Sequence, residues 1–201
     1  MQLSTILAVV SFVSSACAQT AVSTIHTITA NLESTLPVYE NAAISNAEII
    51  AGAVTADAAV AAEAALNANL TAIVTALVSA GTQIAGATVN AAGGITNATV
   101  GLAQADINTL STDVEIIVTL VEGIEATYNV IVKLGGNVQA TAGAELVALQ
   151  NVIAPFAAPL QAYVAGVLTS YVNATVSVTG LANAQADLIA VVNSVTATIG
   201  I

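Results

Sequence analysis

From Ile107 to Ile131 one spacing repeats without a miss. Ile107, Leu110, Val114, Ile117, Val121, Ile124, Tyr128 and Ile131 follow one another at intervals of three and four. Only an α-helix carries residues so spaced on one side, because a strand returns to the same face every second residue. Val118, Leu120 and Val132 widen the stripe, as a central bundle helix requires and a two-stranded zipper does not. The opposite stripe, Glu115, Thr119, Glu122, Ala126, Asn129 and Lys133, is a solvent face. Lys133 sits where a cation favours the helix dipole, and Gly135-Gly136 is expected to stop the helix.

The same reading organises the rest of the chain. Val22, Ile25, Ile28, Leu32 and Leu36 predict a first helix ending at or before Pro37. A long helical pattern follows from Ile44 to Ile84, seamed by Ala47, Ala51, Ala58 and Ala65 and then by Leu66, Leu70, Ile73 and Leu77. Gly52 marks a bend or break in it, and Gly81, Gly86 and Gly93-Gly94 dissolve it into a connector. Leu146, Leu149 and Ile153 predict a short helix, with a corner at Pro155 and Pro159. Leu160, Val164, Val167 and Tyr171 form the next helix, and Leu181, Leu188, Val192, Val195 and Ile199 the last. The Thr- and Val-rich stretch at 172–179 has strand character, but the longer spacings favour helix. The expected fold is all-α: a single antiparallel bundle of five or six amphipathic helices.

The amino terminus reads as a signal peptide over residues 1–18, leaving the bundle to residues 19–201. Residues 3–13 are an apolar run too short to span a bilayer, and Ala16-x-Ala18 places small residues where a signal peptidase cuts. A lipobox at Cys17 is the competing reading. After cleavage no cysteine is left, so neither disulfides nor thiolate chemistry is expected. No later run of about 18 uninterrupted apolar residues occurs, which argues against a transmembrane span in the mature chain. The fairly apolar tail, 188–201, admits a glycolipid anchor, but Asn193, Ser194, Thr196 and Thr198 interrupt it, and a bundle helix explains it better. Asn69, Asn97 and Asn173 open N-glycosylation sequons, in keeping with secretion to the cell exterior or wall.

Charge narrows the partners. Charged residues make up 6% of the chain, and twelve acids face one base for a net −11. Phosphate binding needs several cations to displace counterions, so nucleic acid is excluded as a partner. Groups for catalysis are as scarce. His26 is the only histidine and reads as a surface or boundary residue; a general-base role would need a nucleophile and an orienting acid. Lys133 reads as a solvated helix end. The pairs Asp106/Asp113 and Glu115/Glu122, seven residues apart, each lie along one helix stripe and read as a solubility face. Facing carboxylates across a sugar would be arranged differently. No metal-ligand spacing, phosphate loop or dinucleotide fingerprint is present, so no cofactor is expected.

Two segments carry a family resemblance. The run AQADINTLSTDVEIIVTLVEGIEATYNVIVKLGG, followed by ELVALQNVIAPFAAPLQAYVAGV and a final amphipathic helix, resembles the hydrophobic surface-binding protein A family, which includes fungal cell-wall galactomannoproteins. That resemblance implies a secreted, non-catalytic helical protein of the cell wall or medium. Its partners would be hydrophobic surfaces or long-chain lipids and fatty acids, with cell-wall polysaccharide or recruited secreted hydrolases as further associates. The alternative is a structural wall mannoprotein with a fully packed core. The seam from Ile107 to Ile131 would be core in one case and lipid contact in the other.

Overall fold

A computed structural model describes the backbone of residues 2–53, 55–89, 99, 101–171 and 176–199, and side-chain environments between 18 and 197 within them. Those residues form five helices and no strand: α1 (Gln2–Gly52), α2 (Ala56–Val89), α3 (Gln104–Leu134), α4 (Gly136–Ser170) and α5 (Thr179–Ile199). Gly93-Gly94, Asn97 and positions 172–175, Asn173 among them, lie outside the described residues.

Successive helices alternate in direction, and the laterals make a closed ring in the order α1, α2, α4, α5, α3. Within that ring α1 and α3 run in the same sense: His26 meets Asp113, and further along both helices Glu40 meets Gly123. Helices α3 and α5 are likewise co-directional, with Gly180 against Ser111 and Ser194 against Glu125. The other neighbour of α5 is α4, tied to it by the Gln185 amide donating to the Gln161 carbonyl at 3.1 Å.

Both proline expectations are overturned. Helix α1 passes through Pro37, and α4 passes through Pro155 and Pro159 where a short helix and a corner were expected. A proline inside a helix forfeits a backbone hydrogen bond and costs roughly 3 kcal/mol. Here the apolar spacing continues past each one. Leu36, Ala43, Ala47 and Ile50 are buried on either side of Pro37, and Ile153, Phe156, Ala157 and Leu160 are buried around Pro155 and Pro159. Burial of that continuing stripe outweighs the missing bond.

Glycines divide the same way. Gly52 does end α1, and Thr55 opens α2 by accepting the Ala58 N–H at 3.4 Å. The expected alanine seam fails in part, before this break as well as after it. Ala47 is buried, but Ala51 and Ala58 are exposed and Ala65 is half-buried, while Ala62 takes the core position. Gly81 and Gly86, by contrast, lie inside α2, which continues to Val89. At the α3–α4 junction Gly135 adopts φ 73° and Gly136 φ 36°. That left-handed backbone reverses the chain with a single residue between the helices, a conformation side chains resist.

Helix α3 begins with Asp106 accepting the Ala103 N–H at 2.9 Å, and the buried Tyr171 hydroxyl donates to the Leu102 carbonyl at 3.0 Å. On α4, Tyr163 is fully buried and its hydroxyl donates to the Ala18 carbonyl at 3.4 Å. Desolvation drives both phenols above the ordinary tyrosine range.

Candidate functional site

The α3 seam is core. Ile107, Leu110, Val114, Ile117, Val121, Ile124 and Ile131 are each at most 1% exposed, and Tyr128 is half-buried against them. The outward stripe holds too: Glu115, Thr119, Glu122, Ala126 and Lys133 are exposed and Asn129 is half-buried. A seam packed this completely contacts other helices, so any apolar binding by the closed bundle must use a different surface.

That surface is the outer side of α2 and α4. Helix α2 carries no charged residue after Glu63, and α4 none after Glu145. An open groove of about 340 Å³ runs between them, lined by Leu77, Val78, Ala85, Val152, Pro155 and Pro159 among others. Val60, Val78 and Val89 of α2 and Val147 of α4 are all more than half exposed. Both helices are long and apolar enough to cross a membrane by length and composition, although about 33% and 44% of their most apolar windows are buried in the bundle.

Even the polar residues of this side offer water little. The Thr75 and Thr82 hydroxyls donate to Thr71 and Val78 carbonyls at 2.8 Å, and Thr169 and Ser170 do the same to Ala165 and Gly166. Each of these hydroxyls has a carbonyl partner within its own helix. Asn69 behaves alike: half-buried in the middle of α2, its amide donates to the Ala65 carbonyl at 2.8 Å.

Close approach of the two helices depends on Gly81. A Cβ there would stand 3.1 Å from the Phe156 Cα, tighter than ordinary van der Waals contact and against backbone that cannot swing away. Gly81→Val is therefore expected to force α2 and α4 apart and cost about 1–3 kcal/mol. Chemical denaturation of the variant checks this.

Carboxylates collect on the other side of the ring. Glu115 and Glu122 of α3 and Asp187 of α5 are exposed, and Glu122, Glu125 and Asp187 line one open groove between those helices. Beyond Glu63 and Glu145 the α2–α4 side is thus free of charge, and the groove between α3 and α5 is acidic.

Asp113 departs from the expected solubility face, and with a second acid, Glu40, it lies where α1 meets α3. Asp113 is 1% exposed, and its Oδ1 stands 2.9 Å from the His26 Nδ1, while its Oδ2 finds no partner. Position 113 falls beside Leu110, Val114 and Ile117, which turns it toward α1 and away from the solvent stripe that includes Glu115. Desolvation raises its carboxyl above the usual range, opposed by His26 and reinforced by Glu33. His26, 61% exposed, is at the surface, with the Asp113 carboxyl 2.9 Å from its Nδ1. Among the described residues no hydroxyl or thiol hydrogen-bonds its other nitrogen. Nor does any group of three potential metal ligands occur among them.

The second acid, Glu40, went unremarked in the sequence although its signal is there. It continues the spacing Leu36, Glu40, Ala43, Ala47 along the buried face of α1. It is 9% exposed, its Oε1 has no partner, and its Oε2 packs so closely on Gly123 that a Cβ there would come within 2.9 Å. Burial alone pushes its carboxyl up to about 7.

No family model, curated protein or solved structure matches the chain.

Proposed function

We propose that this is a secreted, non-catalytic protein of the hydrophobic surface-binding kind, which adsorbs to apolar surfaces or takes up long-chain lipid through the outer side of α2 and α4. The observation that supports this most is the segregation of charge. Beyond Glu63 and Glu145 the α2–α4 side presents valine, proline and alanine with no charge, while six of the twelve acids lie on α3 and α5. Such a molecule lies apolar side down on a greasy surface and keeps its acids in water, where their mutual repulsion holds copies apart.

The driving force is apolar burial, on the order of 25 cal/mol for each Å² removed from water. Salt does not screen it. Binding to octyl-coated beads or to long-chain fatty acid is therefore expected to persist at 1 M salt, where the Debye length is about 3 Å. A bead-depletion assay across a salt series tests this, and release of the protein by salt would overturn the reading.

On the same reading residues 1–18 are removed before the bundle closes. In the folded chain Ala18 is buried within continuous helix, and a peptidase needs an extended substrate there. The structural mannoprotein is the second reading, favoured by the burial of seven of the eight residues of the α3 seam. A protein that stops binding beads and lipid once deglycosylated would support it over adsorption.

A further inference from the structure

Four of the six buried polar residues among those described lie on α1 or α3: Thr29 and Glu40 on the first, Asp113 and Thr127 on the second. Three atoms of this set, the Thr29 Oγ1, Glu40 Oε1 and Asp113 Oδ2, have no hydrogen-bond partner. A buried polar group without a partner keeps the full cost of its desolvation, and a buried charge keeps far more. Between the two longest runs of core spacing the chain has thus placed carboxyls where leucines would pack.

Glu40 is the more exposed to this penalty. Asp113 has a cation-forming partner in His26; Glu40 has none. The acids on its own helix, Glu33 and Glu48, stand about two turns away on either side. On α3, Glu122 and Glu125 flank Gly123, the residue that Glu40 touches, and can only repel it. On α2 the charged groups are Asp57 and Glu63, and on α4 the one charge is Glu145; all are acids. His26 lies fourteen residues back along α1, about 21 Å at 1.5 Å per residue. The seat itself is made by Gly123, where a Cβ would come within 2.9 Å of the Glu40 Oε2.

We infer that the α1–α3 contact is a proton-operated latch: it is closed while Glu40 carries its proton against Gly123, and it loosens when Glu40 ionises and the carboxylate leaves that seat for water. Loosening uncovers core residues of both helices, Leu36 and Ile124 among them. The sign follows from the carboxyl, raised from 4.5 to about 7 by burial. Below about 4.5 the acid is protonated folded or unfolded and exacts no penalty. As the pH climbs from there to about 7 the unfolded chain gives up its proton first, so the folded state loses ground throughout that window and no further above it.

The test uses the full chain and two readouts. Thermal unfolding of the native protein is expected to fall by roughly 4–8 °C between pH 5 and pH 8. Glu40→Gln, which keeps the shape and removes the charge, should abolish at least half of that fall. Any share due to Asp113 cancels in the difference between the two profiles. In hydrogen exchange corrected for the intrinsic rate, amides around Leu36 and Ala43 should lose protection about tenfold over the same interval relative to those around Leu188 on α5. Identical pH profiles for the variant and native chain, or unchanged relative protection, would overturn the latch. Should Glu40→Gln fail to fold, carboxyl NMR of the native chain decides: a Glu40 titration midpoint within the ordinary carboxylate range sinks the idea, and one near 7 carries it. None of these measurements reads adsorption, so the latch and the α2–α4 face can fail separately.

Discussion

Ile117→Ala is expected to lower the stability of the bundle by about 2–5 kcal/mol, read as a shift in the midpoint of chemical denaturation at unchanged slope. Ile117 is fully buried at the middle of α3, with Val114, Val121 and Ile124 equally buried along the same stripe. Removing its branched side chain forfeits the transfer free energy of the lost carbons and leaves a cavity that rigid helices on either side close only partly. The size of the effect distinguishes core from ligand contact. Were the seam held open to lipid, the same change would leave the empty protein nearly as stable and weaken lipid binding instead. Val78→Ala is the matched control: at 53% exposure it has little packing to lose, and its cost should stay within about 0.5 kcal/mol.

The second large effect is on binding. Val78→Glu should reduce adsorption to octyl beads at least tenfold while leaving the unfolding midpoint close to that of the native chain. Val78 lines the α2–α4 groove and is half exposed, so a glutamate there is solvated in the free protein. Pressing it against an apolar surface strips that water with no partner to replace it, a penalty of several kcal/mol, and each 1.4 kcal/mol is a factor of ten. The corresponding change on the acidic side, Thr119→Glu on the exposed stripe of α3, should leave adsorption unaltered. Equal loss from both substitutions would mean that overall charge, and not one face, governs binding. Loss from neither would remove the α2–α4 side as the contact.

Much of this was legible in residue spacing. The α3 seam, its outward stripe, its glycine stop and the buried faces around Leu32, Leu70, Leu160 and Leu188 all follow from intervals of three and four, because burial on one side of a helix imposes its period on the sequence. Prolines misled the reading of element ends. A local rule prices the missing N–H at Pro37, Pro155 and Pro159, but the continuing apolar stripe that overrides it is a tertiary effect. The charge-free side was half visible: the long gaps between charges in α2 and α4 are in the sequence, but their adjacency is not.

What the chain determines by itself, then, is helix, period and inward face, since those depend on neighbours within two turns. Only the tertiary structure decides which helices share an edge, and with it the groove between α2 and α4, the meeting of His26 with Asp113 across 87 residues, and the seating of Glu40 on Gly123. The physical reason is that a side chain's stripe is fixed by backbone geometry, whereas the group it meets is fixed by how whole helices pack. Acids such as Asp113 and Glu40 look like solvent residues until a second helix removes the solvent.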